Sequence, residues 1–205
     1  MSLHDHPHHE TWPRKLRCKD GLEVTLRPLE AADFESLLAF FQSMPREDRL
    51  FLRYDVFNVE FFRQLVLESL QNGRYLRLLA FHEGSLVGHG LLEPDNHLWS
   101  PHVGEVRIMV RKEFRRHSLG ALLMRELVDQ ASLRLFDKLT VRLMDTQAAV
   151  RAMCERAGFQ IEAELKNHVR DLDGKKHTLL LMSCSLDDAW HAMEFLLEDV
   201  APWTI

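Results

Sequence analysis

Five basic side chains, Arg111, Lys112, Arg115, Arg116 and His117, crowd a short turn between an apolar strand pattern that ends at Val110 and a helical pattern that opens near Ser118. The N–H groups of a helix's first turn have no partner inside the helix, and together with the macrodipole they make an anion site. Cations in the same turn oppose the positive end of the helix and cost stability unless an anion arrives. A basic turn at this place therefore points to a phosphate-bearing ligand, and Gly120 lets such a ligand approach the backbone. The plainer alternative is a strand-to-helix turn whose arginines are simply solvated. Local physics weighs the two about equally.

Other chemistry-bearing residues are less pointed. His4, His6, His8 and His9 are capable of binding a transition metal, but no helix or strand pattern presents them. No H-E-x-x-H or comparable spacing occurs, so no metal requirement is expected. His97 and His102 flank the loop before Glu105, a place from which they can meet a substrate. Cys18, Cys154 and Cys184 are far apart and never form C-x-x-C, which argues against a disulfide framework and a structural zinc site. The formal net charge of −5 gives no basic footprint for nucleic acid. No apolar run approaches the roughly 20 residues of a membrane helix, and MSLHDHPHHE lacks the apolar stretch of a secretory signal. The expected location is cytoplasmic, with neither nucleic acid nor membrane as partner.

With 205 residues, 46% hydrophobic and 28% charged, the chain reads as one globular domain with decorated ends. Residues 1–20 are polar and aperiodic, a flexible His-rich arm. Residues 22–27 alternate as a half-buried strand, and helical spacing follows over 31–44 and 59–70. Strands are expected at 75–82 and 85–92, joined by the Glu83-Gly84 turn of a hairpin, and again at 105–110. There Glu105, Arg107 and Met109 share one face. A long helix over about 118–136, a strand over 138–143, a helix over 147–157 stopped by Gly158, and strands over 159–169 and 177–184 complete a domain ending at residue 186. Residues 187–205 form a C-terminal helix and tail. The class is mixed α/β (α+β), neither bundle nor sandwich.

Three stretches in this order resemble the GNAT superfamily of acyl-CoA-dependent N-acyltransferases. Arg115-Arg116-His117-Ser118-Leu119-Gly120, after the strand ending in Val110, resembles the family's pyrophosphate loop. Gln147 to Phe159, QAAVRAMCERAGF, resembles its Asn-x-x-Ala-x-x-x-Tyr-x-x-x-Gly-Phe helix and turn. Arg27, Pro28 and Asp33 resemble its Arg-Pro-x-x-x-x-Asp opening. Arg53-Tyr54 and GEVRIMVRKEF look most like the protein lysine acetyltransferase branch.

The resemblance implies a mostly antiparallel central sheet with a splayed strand pair and flanking helices. It implies an acetyl-CoA or related acyl-CoA donor and an amine acceptor, a protein lysine or a small amine. Backbone groups of Met109 and Val110 would bond the pantetheine, and amides from Arg116 to Ala121 the pyrophosphate. Ser118 replaces the loop's first glycine, whose φ > 0 a serine adopts less cheaply. It is a good N-cap, and its hydroxyl is able to donate to phosphate. Gln147 keeps an amide one methylene away from the family's Asn. Glu105 would be the general base, accepting the ammonium proton, often through water, although Arg107 on the same face lowers its pKa. Cys154 stands where the family has a tyrosine that protonates the departing thiolate. As an acid it competes with a plainer reading, an inert core cysteine in the Val150, Met153, Cys154, Ala157 stripe. These departures leave a second function open, a non-catalytic acyl-CoA-binding regulatory module. A homodimer through Trp190, Phe195, Leu196 and Trp203 is a further expectation, as is packing of that segment on its own domain.

Overall fold

The computed structural model describes residues 11–18, 20–95 and 97–198, the last six by backbone alone. In chain order the elements are β1 (Arg14–Arg17), β2 (Glu23–Pro28), α1 (Phe34–Gln42), α2 (Arg46–Arg49), α3 (Val59–Gln71), β3 (Leu76–His82), β4 (Ser85–Pro94), β5 (Val103–Val110), α4 (Leu119–Leu133), β6 (Lys138–Met144), α5 (Ala148–Arg156), β7 (Gln160–Arg170), β8 (Lys176–Ser185) and α6 (Leu186–Glu198). Eight strands form one sheet in the order β1-β2-β3-β4-β5-β6-β8-β7. Every neighbouring pair is antiparallel except β5 and β6. The expected mixed, mostly antiparallel sheet with flanking helices is the one observed.

Alternation along the strands divides the core between the two faces. Leu78, Ala80, Val106 and Leu139 pack with α4 and α6 on one side. Leu79 and Leu86 pack with Phe34, Phe41, Phe62 and Val66 of α1 and α3 on the other. α4 comes close to β4 because two glycines make room. A methyl group at Gly88 would lie 3.2 Å from a Leu123 methyl, and one at Gly90 would lie 3.1 Å from Leu127. The Glu83-Gly84 turn has φ of 48° and 77°, the conformation of a two-residue hairpin loop. Arg27 and Asp33 form a two-pronged ion pair at 2.6 and 2.7 Å, and Asp33 also accepts from the Glu30 amide at 2.8 Å. The opening motif thus fixes the entry to α1.

Part of the arm expected over residues 1–20 is a strand of the sheet. Arg14–Arg17 pairs with β2, and Leu16 and Cys18 are buried. Four residues are too few to show a period, and the open edge of β2 orders them. His4, His6, His8 and His9 lie outside the described residues. At the other end, Leu186 and Ala189 are buried and Trp190 packs on the core, so the start of α6 belongs to its own domain. The side chains of Phe195, Leu196 and Trp203 lie outside the described residues. No helix among the described residues is long and apolar enough to cross a membrane.

Candidate active site

β5 and β6 pair only through Val103↔Lys138, Gly104↔Leu139 and Glu105↔Thr140. Beyond Glu105 they separate. Each remains held on its outer side, β5 to β4 as far as Val110 and β6 to β8 as far as Met144. The wedge between them is therefore a fixed opening in the sheet. A cleft runs through it with about 870 Å³ not filled by atoms, part of it open to solvent. Val106, Ile108, Val141 and Met153 line one side of the cleft, and Tyr54 and His89 are among the residues lining the other. The Arg111 amide donates to the Val87 carbonyl of β4 at 2.9 Å. Backbone groups alternate along a strand, so those of Met109 also face β4, whereas those of Ile108 and Val110 face the wedge. The β4–β5 pairing is unbroken from Pro94↔Gly104 to Gly88↔Val110, with His89 opposite Met109. Of the two residues expected to bond the ligand, Val110 thus turns its amide into the wedge and Met109 turns its backbone groups to the β4 ladder.

The basic turn leads from this wedge to α4. Arg116 and Ser118 both take left-handed backbone conformations, with φ of 68° and 63°. Ser118 is the N-cap residue, but its hydroxyl caps nothing. The first intrahelical bond runs from the Leu122 amide to the Ser118 carbonyl at 3.0 Å, which leaves the amides of Leu119, Gly120 and Ala121 outside the ladder. Gly120 also serves packing, since a methyl there would meet the Met153 sulfur at 3.2 Å. Most of the cations are already engaged. Arg115 donates to the Val110 carbonyl at 3.1 Å and to Asp48 at 2.6 Å. Lys112 lies 3.5 Å from Glu47, Arg111 donates to the Leu86 carbonyl at 2.8 Å, and His117 is tied to Asp20. Arg115 and His117, expected to meet phosphate, thus have side-chain partners within the protein. Arg116 stays exposed.

On the α1–α3 face of the sheet, a polar row crosses the strands: Arg77 on β3, His89 and Glu93 on β4, Glu105 and Arg107 on β5, with Arg142 on β6 beyond them. Glu105 is paired with Arg53 from the α2–α3 loop, lies 3.5 Å from Arg107 Nε, and lies 3.7 Å from Arg142. Burial pushes its carboxyl up, but the three guanidiniums outweigh burial and hold it below the usual carboxylate range. That environment is the opposite of one that poises a carboxylate as a general base near neutrality.

A model of the acetyltransferase (GNAT) family matches residues 34–159, more than half of the chain. The chain belongs to the GNAT acetyltransferase family. It matches no curated protein in sequence. A GNAT-family acetyltransferase from Streptococcus pneumoniae is similar in structure, with a TM-score of 0.65 and 22% identity, covering 79% of this chain and 99% of that one. A ribosomal-protein-alanine N-acetyltransferase from Brucella melitensis gives 0.67 and 25% identity over 78% of this chain and 98% of its own. A putative acetyltransferase from Salmonella typhimurium, solved with its cofactor acetyl-CoA, gives 0.62 and 18% identity over 80% and 94%.

Within this GNAT domain the second catalytic candidate, Cys154, borders the cleft from beneath its surface. Cys154 has no exposed surface and belongs to the core, and burial pushes its thiol up to about 12. A thiol so reluctant to ionise is a poor proton donor, and its helix-stripe neighbours explain why it is there. Gln147 lines the cleft, and its side-chain oxygen accepts from the Met144 amide at 2.9 Å, fixing the turn from β6 into α5. His97 and His102 do not line the cleft; His97 pairs with Asp95, and the His102 carbonyl accepts from the Asp137 amide at 2.9 Å. Residues the chain's motifs leave without a role do line it: Tyr54, Arg77, His89 and Arg142. Arg77 within LRLLAF and His89 between two glycines are polar residues inside apolar strands, a signal readable without the fold.

Proposed function

We propose that this GNAT domain transfers the acetyl group of acetyl-CoA to a primary amine, of a small molecule or a protein lysine, by direct attack. The observation that supports this is the open wedge, with the Val110 amide turned into it and the unpaired amides of α4 beyond. The amides of Leu119, Gly120 and Ala121, with Arg116, take the pyrophosphate. The wedge-facing groups of Ile108 take the pantetheine.

The attacking amine must be neutral. Arg53, Arg77, Arg107 and Arg142 outnumber Glu93 and Glu105 around the cleft, so the site disfavours an ammonium and lowers the amine's pKa, with water carrying the proton away. The amine nitrogen bonds to the thioester carbonyl carbon, and the Val110 amide donates to the oxyanion that forms. As the carbon–sulfur bond breaks, the attacking nitrogen gives up a proton to water, and the thiolate takes one up and leaves as the free thiol. Tyr54 carries the one hydroxyl among the described residues lining the cleft, and it takes the acid role that Cys154 does not fill. Glu105 positions Arg53 and Arg107.

Thiol release from acetyl-CoA, followed with a chromogenic disulfide across an amine panel, tests the reading. Amine-dependent release that falls at least tenfold in Tyr54→Phe, with acetyl-CoA affinity retained, is the expected result. Tight acetyl-CoA binding with no release from any amine would instead favour a regulatory acyl-CoA-binding module.

A further inference from the structure

Arg77 is the second residue of β3, faces the space under α1 and α3, and is only 8% exposed. Its Nε donates to the Ser69 hydroxyl at 2.8 Å, a neutral partner. No carboxylate lies within ion-pair distance of it among the described residues. Glu93, the acid whose charge acts on it through space, is committed to Arg107 and to the Tyr75 hydroxyl. A guanidinium withdrawn from water without a counter-charge is unfavourable, and its forked donors match a carboxylate.

His89 lies two strand positions from the residue opposite Arg77, in the same cleft. It is 3% exposed, its ring packs edge-on against Phe41 at 5.2 Å, and its Nε2 has no hydrogen-bond partner. Burial, with Arg77 and Arg107 nearby, holds the imidazole far below its ordinary pKa and so neutral. A neutral ring that leaves one nitrogen unbonded in the cleft is equipped to donate to a ligand oxygen. Phe41, Phe62 and Val56 close this inner end.

We propose that the acetyl acceptor is a small amine carrying a carboxylate, bound at the inner end of the cleft by Arg77 and His89. This rests on the acetyltransferase reading above and names its substrate class. The carboxylate supplies the counter-charge that Arg77 lacks, and the amine projects from it toward the wedge. A protein lysine brings no such anion, and its chain would have to remain outside.

The test compares proteinogenic amino acids, β-alanine and γ-aminobutyrate, each beside its primary amide, with Nα-acetyl-lysine methylamide as the peptide-like probe. Binding to the CoA complex is measured calorimetrically, separately from turnover. At least one acid is expected to bind tenfold or more tightly than its amide, with the preference lost in Arg77→Met and reduced in His89→Phe, and acetyl-CoA affinity intact in both. In turnover, Arg77→Met raises KM for the acid and leaves the amide's KM in place. Equal binding within every pair, a preference that survives Arg77→Met, or preferred binding of the lysine probe overturns the proposal. Should Arg77→Met fail to fold, Arg77→Lys keeps the charge without the fork and must narrow the preference. A retained binding preference without CoA release from any amine would overturn the transfer reading while leaving this site standing.

Discussion

Arg53, in the loop between α2 and α3, is ion-paired to Glu105, the last residue at which β5 still pairs with β6. The contact ties a loop that covers one face of the sheet to the apex of the wedge. Removing either partner therefore disturbs both the cover and the opening.

Glu105→Gln is expected to destabilise the domain by about 3 kcal/mol at pH 7, because three guanidiniums lose their shared counter-charge. The Glu105 carboxyl is held below its ordinary value of 4.5. Its contribution is thus fully present above that pH and is lost as acid titrates the folded group. Urea unfolding at pH 7 and in acid should show the difference between the two proteins shrinking. Between pH 6 and 9, rate profiles of the two should bend at the same places; disappearance of an acid limb in the variant would restore Glu105 as the base.

Ser118→Gly removes a side chain from a left-handed backbone position at which its hydroxyl caps nothing. A net gain of about 0.5–1 kcal/mol is expected, after allowing for the greater freedom glycine has when unfolded. Thermal unfolding should rise by about 2 °C, with acetyl-CoA affinity equal or better. A loss of affinity would mean that the hydroxyl serves the phosphates.

The three thiols should all resist modification in the native protein. Burial pushes Cys18 up to about 11 and Cys154 and Cys184 to about 12. Labelling with iodoacetamide at pH 8 should appear only with denaturant. Cys154→Ala should cost about 1 kcal/mol of stability while keeping kcat within about twofold. A kcat loss of a hundredfold would return Cys154 to the mechanism.

Arg115 and Arg116 are neighbours with separable roles. Arg115→Ala strips donors from the Val110 carbonyl and from Asp48 and should cost about 1–2 kcal/mol of stability. Arg116→Ala should leave unfolding unchanged and weaken acetyl-CoA about fivefold at low salt, with the difference fading as salt rises. Calorimetric titration at two ionic strengths separates the two variants.

Much of the architecture is legible in local patterns. Periods of two and of 3.6 residues place the strands and helices, because burial of one face imposes them on the sequence. The turn from Val110 to Ser118 announces an anion site, because helix starts leave their amides unpaired wherever they occur. Strand Arg14–Arg17 escapes such a reading, because four residues show no period and their order comes from a neighbouring edge.

Which charges meet is settled only on folding. Asp48, Asp20 and Glu47 arrive from distant segments and occupy most of the basic turn, leaving Arg116 exposed beside the helix amides. Arg53, Arg107 and Arg142 converge on Glu105 from three elements and hold its carboxyl below the usual carboxylate range. Arg77 and His89 come to line one cleft only because β3 and β4 lie side by side in register. Electrostatic energy depends on distance and burial, and neither is written in the order of the residues. Residue order carries the elements and the basic turn; the folded sheet decides which charges meet in the cleft.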